Sequence, residues 1–144
     1  MKRVLTTLAA TLILITSFSS MAAEKMDPLK DYSSVNIVNA YLEATTLGSV
    51  DMNKFLFAED FEYHNTASNL RYGKKAYTNF LKQHKGIKFN CETTYEILDE
   101  SGEACIAKAI MKFSHFTRVD YITLNHSKEG WKVSKVVTTY PPRV

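Results

Sequence analysis

The spacing of the apolar residues changes once along this chain, and that change limits what it can fold into. In the first part, Ile37, Val38, Tyr41 and Leu42 recur at helical intervals, as do Ala76, Tyr77, Phe80 and Leu81. Each set occupies one face of a helix with 3.6 residues per turn. From Lys88 onward the interval is two: Cys91, Thr93, Tyr95 and Ile97 alternate with Glu92, Thr94 and Glu96. Residues at that interval point to alternate faces of a strand. Helices followed by a run of hairpins predict an α+β domain with helices packed on one face of an antiparallel sheet.

The punctuation refines this. Ser33 or Ser34 is placed to cap the first helix and Gly48 to end it. Asp51 is placed to cap a short second helix carrying Met52, Phe55 and Leu56. Residues 57–64 read as a strand and residues 65–69 as a turn. A third helix covers residues 74–85 and closes at Gly86. Residues 99–102 form a turn and residues 103–116 one long strand. Residues 119–125 and 131–140 are further strands, joined by a turn at 126–130. Strands of about ten residues exceed the usual five or six, so the sheet is expected to be long and strongly curved. Helices packed on such a sheet would enclose a cone with an internal cavity.

The N-terminus reads as an export signal. Met1-Lys2-Arg3 is basic, residues 4–18 carry no charge, and Ser20-Met21-Ala22 supplies small residues at a cleavage site. An uncharged helix of that length is roughly 22 Å long, short of a bilayer core of about 30 Å, so cleavage after Ala22 or Ala23 is favoured over membrane anchoring. The expected layout is a signal peptide at 1–22, a flexible leader at 23–32 and one domain at 33–144, secreted or periplasmic. Cleavage removes Lys2 and Arg3, two of the charges behind a formal net charge of +3. No basic run exceeds two residues, which gives nucleic-acid binding no footprint. Among the motifs with a known mechanism, GxGxxG, the P-loop, HExxH and GxSxG are all missing. The two cysteines have no metal-ligand spacing, so no metal and no cofactor are expected. If residues 99–102 form the hairpin loop, Leu98 faces Glu103. Cys91 and Cys105 are then offset by about five residues, roughly 17 Å at about 3.4 Å each. A disulfide needs Cα atoms within about 7 Å, so two free thiols are expected.

With this layout in hand, the chain resembles the nuclear transport factor 2-like (NTF2-like) superfamily, in detail its lumazine-binding and SnoaL-like branches. The likeness rests on Val38-Asn39-Ala40-Tyr41-Leu42, on residues 55–63, on Asp120-Tyr121-Ile122-Thr123-Leu124 and on residues 130–136. It covers residues 33–140 and lies in apolar spacing rather than in chemistry. It implies a cone of helices on a curved sheet, and a sheet face through which such domains form homodimers. In enzymes of this superfamily an Asp or His inside the cone acts as general base. The requirement is an acid or imidazole close to a C–H proton in a dry pocket. Asp120 and His115 are the candidates. Against this, Asp120 is well placed to bond a neighbouring backbone or Arg118, and His115 to lie near a hairpin end.

The expected pocket comprises Phe57, Tyr63, Tyr95, Phe113, His115, Asp120, Tyr121 and Trp131, suited to a small apolar or aromatic molecule. Strand parity sets Val119, Tyr121 and Thr123 against Asp120, Ile122 and Leu124 without saying which set faces inward. Three functions follow: a non-catalytic binding domain, an isomerase-, cyclase- or dehydratase-like enzyme using Asp120 or His115 as base, and a protein-interaction domain acting through its sheet.

Overall fold

The computed structural model describes residues 26–142. The expected export leader and cleavage site lie outside the described residues. Helix α1 (Ser34–Thr46) starts where Ser33 Oγ accepts a hydrogen bond from the Asn36 N–H at 3.3 Å. Its buried stripe holds Ile37, Val38, Tyr41 and Leu42. Gly48 follows with φ +67°. A Cβ there would meet the backbone of His84, Gly86 and Ile87, so both conformation and space require glycine. Helix α2 (Asn53–Leu56) is a single turn that leads into β1 (Phe57–Asn65), β2 (Leu70–Gly73) and α3 (Lys74–Gln83). Four strands complete the fold: β3 (Glu92–Ser101), β4 (Ala104–Lys112), β5 (Thr117–Ser127) and β6 (Gly130–Thr139).

The strands form one six-stranded sheet in the order β2-β1-β6-β5-β4-β3. Helix α1 packs on β6, and α3 packs on β1 and β2. The core lies between these helices and the concave face. Ala107, Ala109 and Met111 of β4, Ile122 and Leu124 of β5, and Val133 and Val136 of β6 are fully buried there. Register shifts between Ile97 and Asp99 and between Thr123 and Leu124 bend the sheet around the helices.

The pairing corrects several expectations. The sheet is mixed rather than antiparallel throughout, because β1 runs parallel to β6. Alternation reports which face a residue takes and is blind to strand direction. Strand β2 is an addition to the expected layout: its four residues are too few for their alternation to stand out, and it forms because the 65–69 turn folds it back on β1. Asn65 Oδ1 accepts from the N–H groups of Ala67 and Ser68 in that turn, and Asn69 adopts φ +56°. The expected long strand at 103–116 ends at Lys112. The chain reverses there, with the Phe113 N–H donating to the Phe116 carbonyl.

The β3–β4 turn is also tighter than expected. Ser101 pairs with Ala104 and Glu100 with Cys105, which makes Gly102-Glu103 the turn. Gly102, at φ +57°, takes the first central position, where glycine alone is unstrained. This register moves the cysteines further apart, to about nine residues along the ladder, and both are free.

Residues 26–32 are not a loose leader. Leu29 is buried in the core, and its N–H is bonded by Asp27 Oδ1. Lys132 Nζ donates to Asp27 Oδ2 and to the Phe55 carbonyl. A Cβ on Gly130 would collide with the Lys30 carbonyl, so the β5–β6 turn and the 26–32 segment lie backbone against backbone.

Candidate functional site

The polar centre of the core is Asp120, on the concave face of β5 and fully buried. Four donors converge on its carboxylate. Arg118 Nε reaches Oδ1 at 2.8 Å and Arg118 Nη2 reaches Oδ2 at 2.9 Å. Thr138 Oγ1 donates to Oδ1 at 2.7 Å, and Tyr41 Oη donates to Oδ2 at 2.6 Å. Arg118 and Asp120 meet because residues two apart on a strand share a face. Thr138 meets them because it pairs with Asp120 across β5 and β6. Tyr41 comes down from α1. The Tyr77 hydroxyl, from α3, lies 3.4 Å from that of Tyr41. The single proton of Tyr41 is committed to Asp120, so Tyr77 is the donor in that contact.

Burial pushes the Tyr41 hydroxyl well above the usual tyrosine range, with further upward pressure from Asp120 and Tyr77. Tyr77 and Tyr63 are likewise raised, first of all by burial. Tyr41 and Tyr77 therefore keep their protons and act as hydrogen-bond donors. A carboxylate offers about four lone-pair sites, and here all are taken. The arrangement holds a charge in place and leaves no lone pair to accept a substrate proton. This matches the plainer of the two sequence readings of Asp120, in which it bonds Arg118.

The expected pocket does not assemble. Phe57, Tyr63 and Asp120 do share the interior, but the chain's own rings fill it. Tyr63 stacks on Tyr77 at 4.6 Å, and Phe57 lies 4.6 Å from Phe61. Tyr121 is on the opposite, convex face and 38% exposed, as alternation demands of the neighbour of an inward Asp120. Tyr95 lies on edge strand β3. His115 is exposed in the turn between β4 and β5. Phe113 stacks on Phe116 at that turn, and Trp131 packs on His126 beside Gly130. Sequence reasoning left Tyr41, Tyr77 and Thr138 out of the site. Only Arg118, two residues from Asp120, carried a readable signal. Among the described residues no group of three or more His, Cys, Asp or Glu side chains could hold a metal.

A cleft of about 800 Å³ opens elsewhere, between α2 and α3. Helix α3 lines it with Lys74, Lys75, Asn79 and Lys82, while Asn53 and Lys54 come from α2. Five lysines stand against two carboxylates in its walls. Lys74 pairs with Glu59 at 2.5 Å and Lys85 with Asp51 at 3.3 Å. Asn53 is 6% exposed, and neither its Nδ2 nor its Oδ1 has a hydrogen-bond partner.

Solved structures with this architecture carry the same fold name. An NTF2-like protein of unknown function from Silicibacter pomeroyi is 12% identical, over 74% of this chain and 92% of that one, with a TM-score of 0.62. An NTF2-like protein from Cytophaga hutchinsonii is 14% identical, over 74% and 94%, at 0.61. One of unknown function from Methylobacillus flagellatus is 17% identical, over 75% and 89%, at 0.60. The class is therefore an α+β cone, and the chain has the NTF2-like fold. The likeness singles out no branch of the superfamily, and identity this low carries no activity with it. No protein-family model matches the sequence, and no curated protein does.

Proposed function

We propose that this chain is an exported, non-catalytic domain that binds a small molecule in the cleft between α2 and α3. The observation that sets catalysis aside is the Asp120 carboxylate, with four donors and no contact with solvent, and the binding half rests on the open cleft of about 800 Å³. A general base needs a free lone pair inside a pocket that holds substrate; Asp120 has no lone pair to spare, and His115 lies in an exposed turn away from the cleft. Export is supported by the basic, apolar and small-residue segments at the N-terminus. A protein-detected NMR screen with a mixed library of neutral and acidic fragments tests the binding. Shifts should gather at Val50, Asn53 and Asn79. Shifts gathered at Ile122, Leu124 and Tyr63 would instead favour an interior site and the enzyme reading.

A second reading concerns the convex face, where Ile106, Ile110, Tyr121 and Val137 form an apolar strip around Lys108, whose Nζ lies over the Tyr121 ring. The fitting occupant is a second copy of the chain. One row across the sheet runs Asp99, Ile106, Thr123, Lys135. A two-fold axis parallel to the strands sets the acid of each copy over the lysine of the other.

A further inference from the structure

We infer that the α2–α3 cleft is selective for an acidic small molecule, one carrying carboxylate or phosphate groups beside a polar group that pairs with the Asn53 amide. This deepens the binding reading above and rests on it. Two independent observations support it. The first is charge. Lys75 and Lys82 stand at either end of the α3 wall, about 10 Å apart along the axis, and Lys54 faces them from α2. The lysines outnumber the carboxylates of the cleft, so an entering anion meets a favourable field between low-dielectric walls.

The second is the amide. A buried Asn with neither donor nor acceptor satisfied is costly, and buried polar groups are nearly always paired. Asn53 lies in the wall of the cleft with its amide atoms closed off behind that wall, so a ligand supplying one acceptor and one donor answers both atoms once the side chain turns outward to meet it. A purely apolar ligand would leave the amide orphaned and the lysines desolvated.

The test is a citrate titration of the mature protein, followed by the backbone and side-chain amide signals, against sodium chloride at matched ionic strength. Citrate should move the Asn53 and Asn79 side-chain amides saturably, and chloride should not. In the variant with Lys75→Gln and Lys82→Gln, both on the surface of α3, affinity should fall about tenfold or more. Asn53→Asp should weaken binding further by adding a like charge. Equal shifts with chloride, or an unchanged affinity in the double variant, would overturn the inference. If the cleft responds only to neutral fragments, selectivity for acids fails and the binding reading stands. If it responds to neither, both fail.

Discussion

At the scale of single residues, the decisive feature is a carboxylate that is fully used. Replacing Asp120 by Asn leaves the Arg118 guanidinium, 13% exposed, without its counter-charge. Breaking one side of a buried ion pair costs about 3–5 kcal/mol. Urea unfolding of Asp120→Asn should show a loss of that order. The double change Asp120→Leu with Arg118→Met should cost less than the single one, because no charge is then stranded. A double variant as unstable as the sum of its parts would contradict the account. The tyrosines set a second expectation. In the unfolded chain they ionise near pH 10, and in the fold Tyr41 and Tyr77 hold their protons above that. Above pH 10 the unfolded state therefore binds fewer protons, and stability falls as pH rises. The slope is at most about 1.4 kcal/mol per pH unit for each of the two. Chemical denaturation between pH 8 and about pH 11 checks the sign. How much of this was legible depended on distance along the chain. Arg118 and Asp120 stand two apart, so their meeting is written in strand geometry. Tyr41 and Tyr77 reach the same point from two helices, and no local pattern records where two helices converge.

At the scale of elements, the helical faces and the strand alternation were readable because burial imposes them residue by residue. Turn geometry was less so. The sequence offers four turn-forming residues at 99–102, and only pairing decides that the turn closes on Gly102 and Glu103. The 26–32 segment was misread for a related reason. It is polar and contains Pro28, yet one buried leucine and one lysine–aspartate pair tie it down. Gly130→Ala tests that tie. The added methyl faces the Lys30 backbone, and φ +90° is strained for alanine. We expect a destabilisation of roughly 1–3 kcal/mol by urea unfolding, with faster amide exchange at Leu29 and Tyr32. Unchanged exchange there would mean that the segment is not held by this contact.

At the scale of the whole molecule, the cone was legible from the order of its elements, and the interior pocket was not. Whether a cone is hollow depends on which rings cross it, and here Tyr41, Phe57, Phe61 and Tyr77 do. The convex face sets the quaternary expectation. Sedimentation should give a dimer, and Tyr121→Lys a monomer of near-native melting temperature, since that side chain is 38% exposed and outside the core. A wild-type monomer would remove the second copy from the strip. The parallel contact between β1 and β6 has a consequence in time. Its two strands, residues 57–65 and 130–139, are separated by β2, α3 and three further strands of the sheet. At roughly 5–20 residues per second, a ribosome takes about 4–15 s to go from the end of β1 to the end of β6. Throughout that time, β1 has only short β2 beside it, and Phe61 and Tyr63 have no sheet centre to join. The sheet cannot join its two halves until β6 is made, so for those seconds the growing chain is a substrate for chaperones rather than a folded domain.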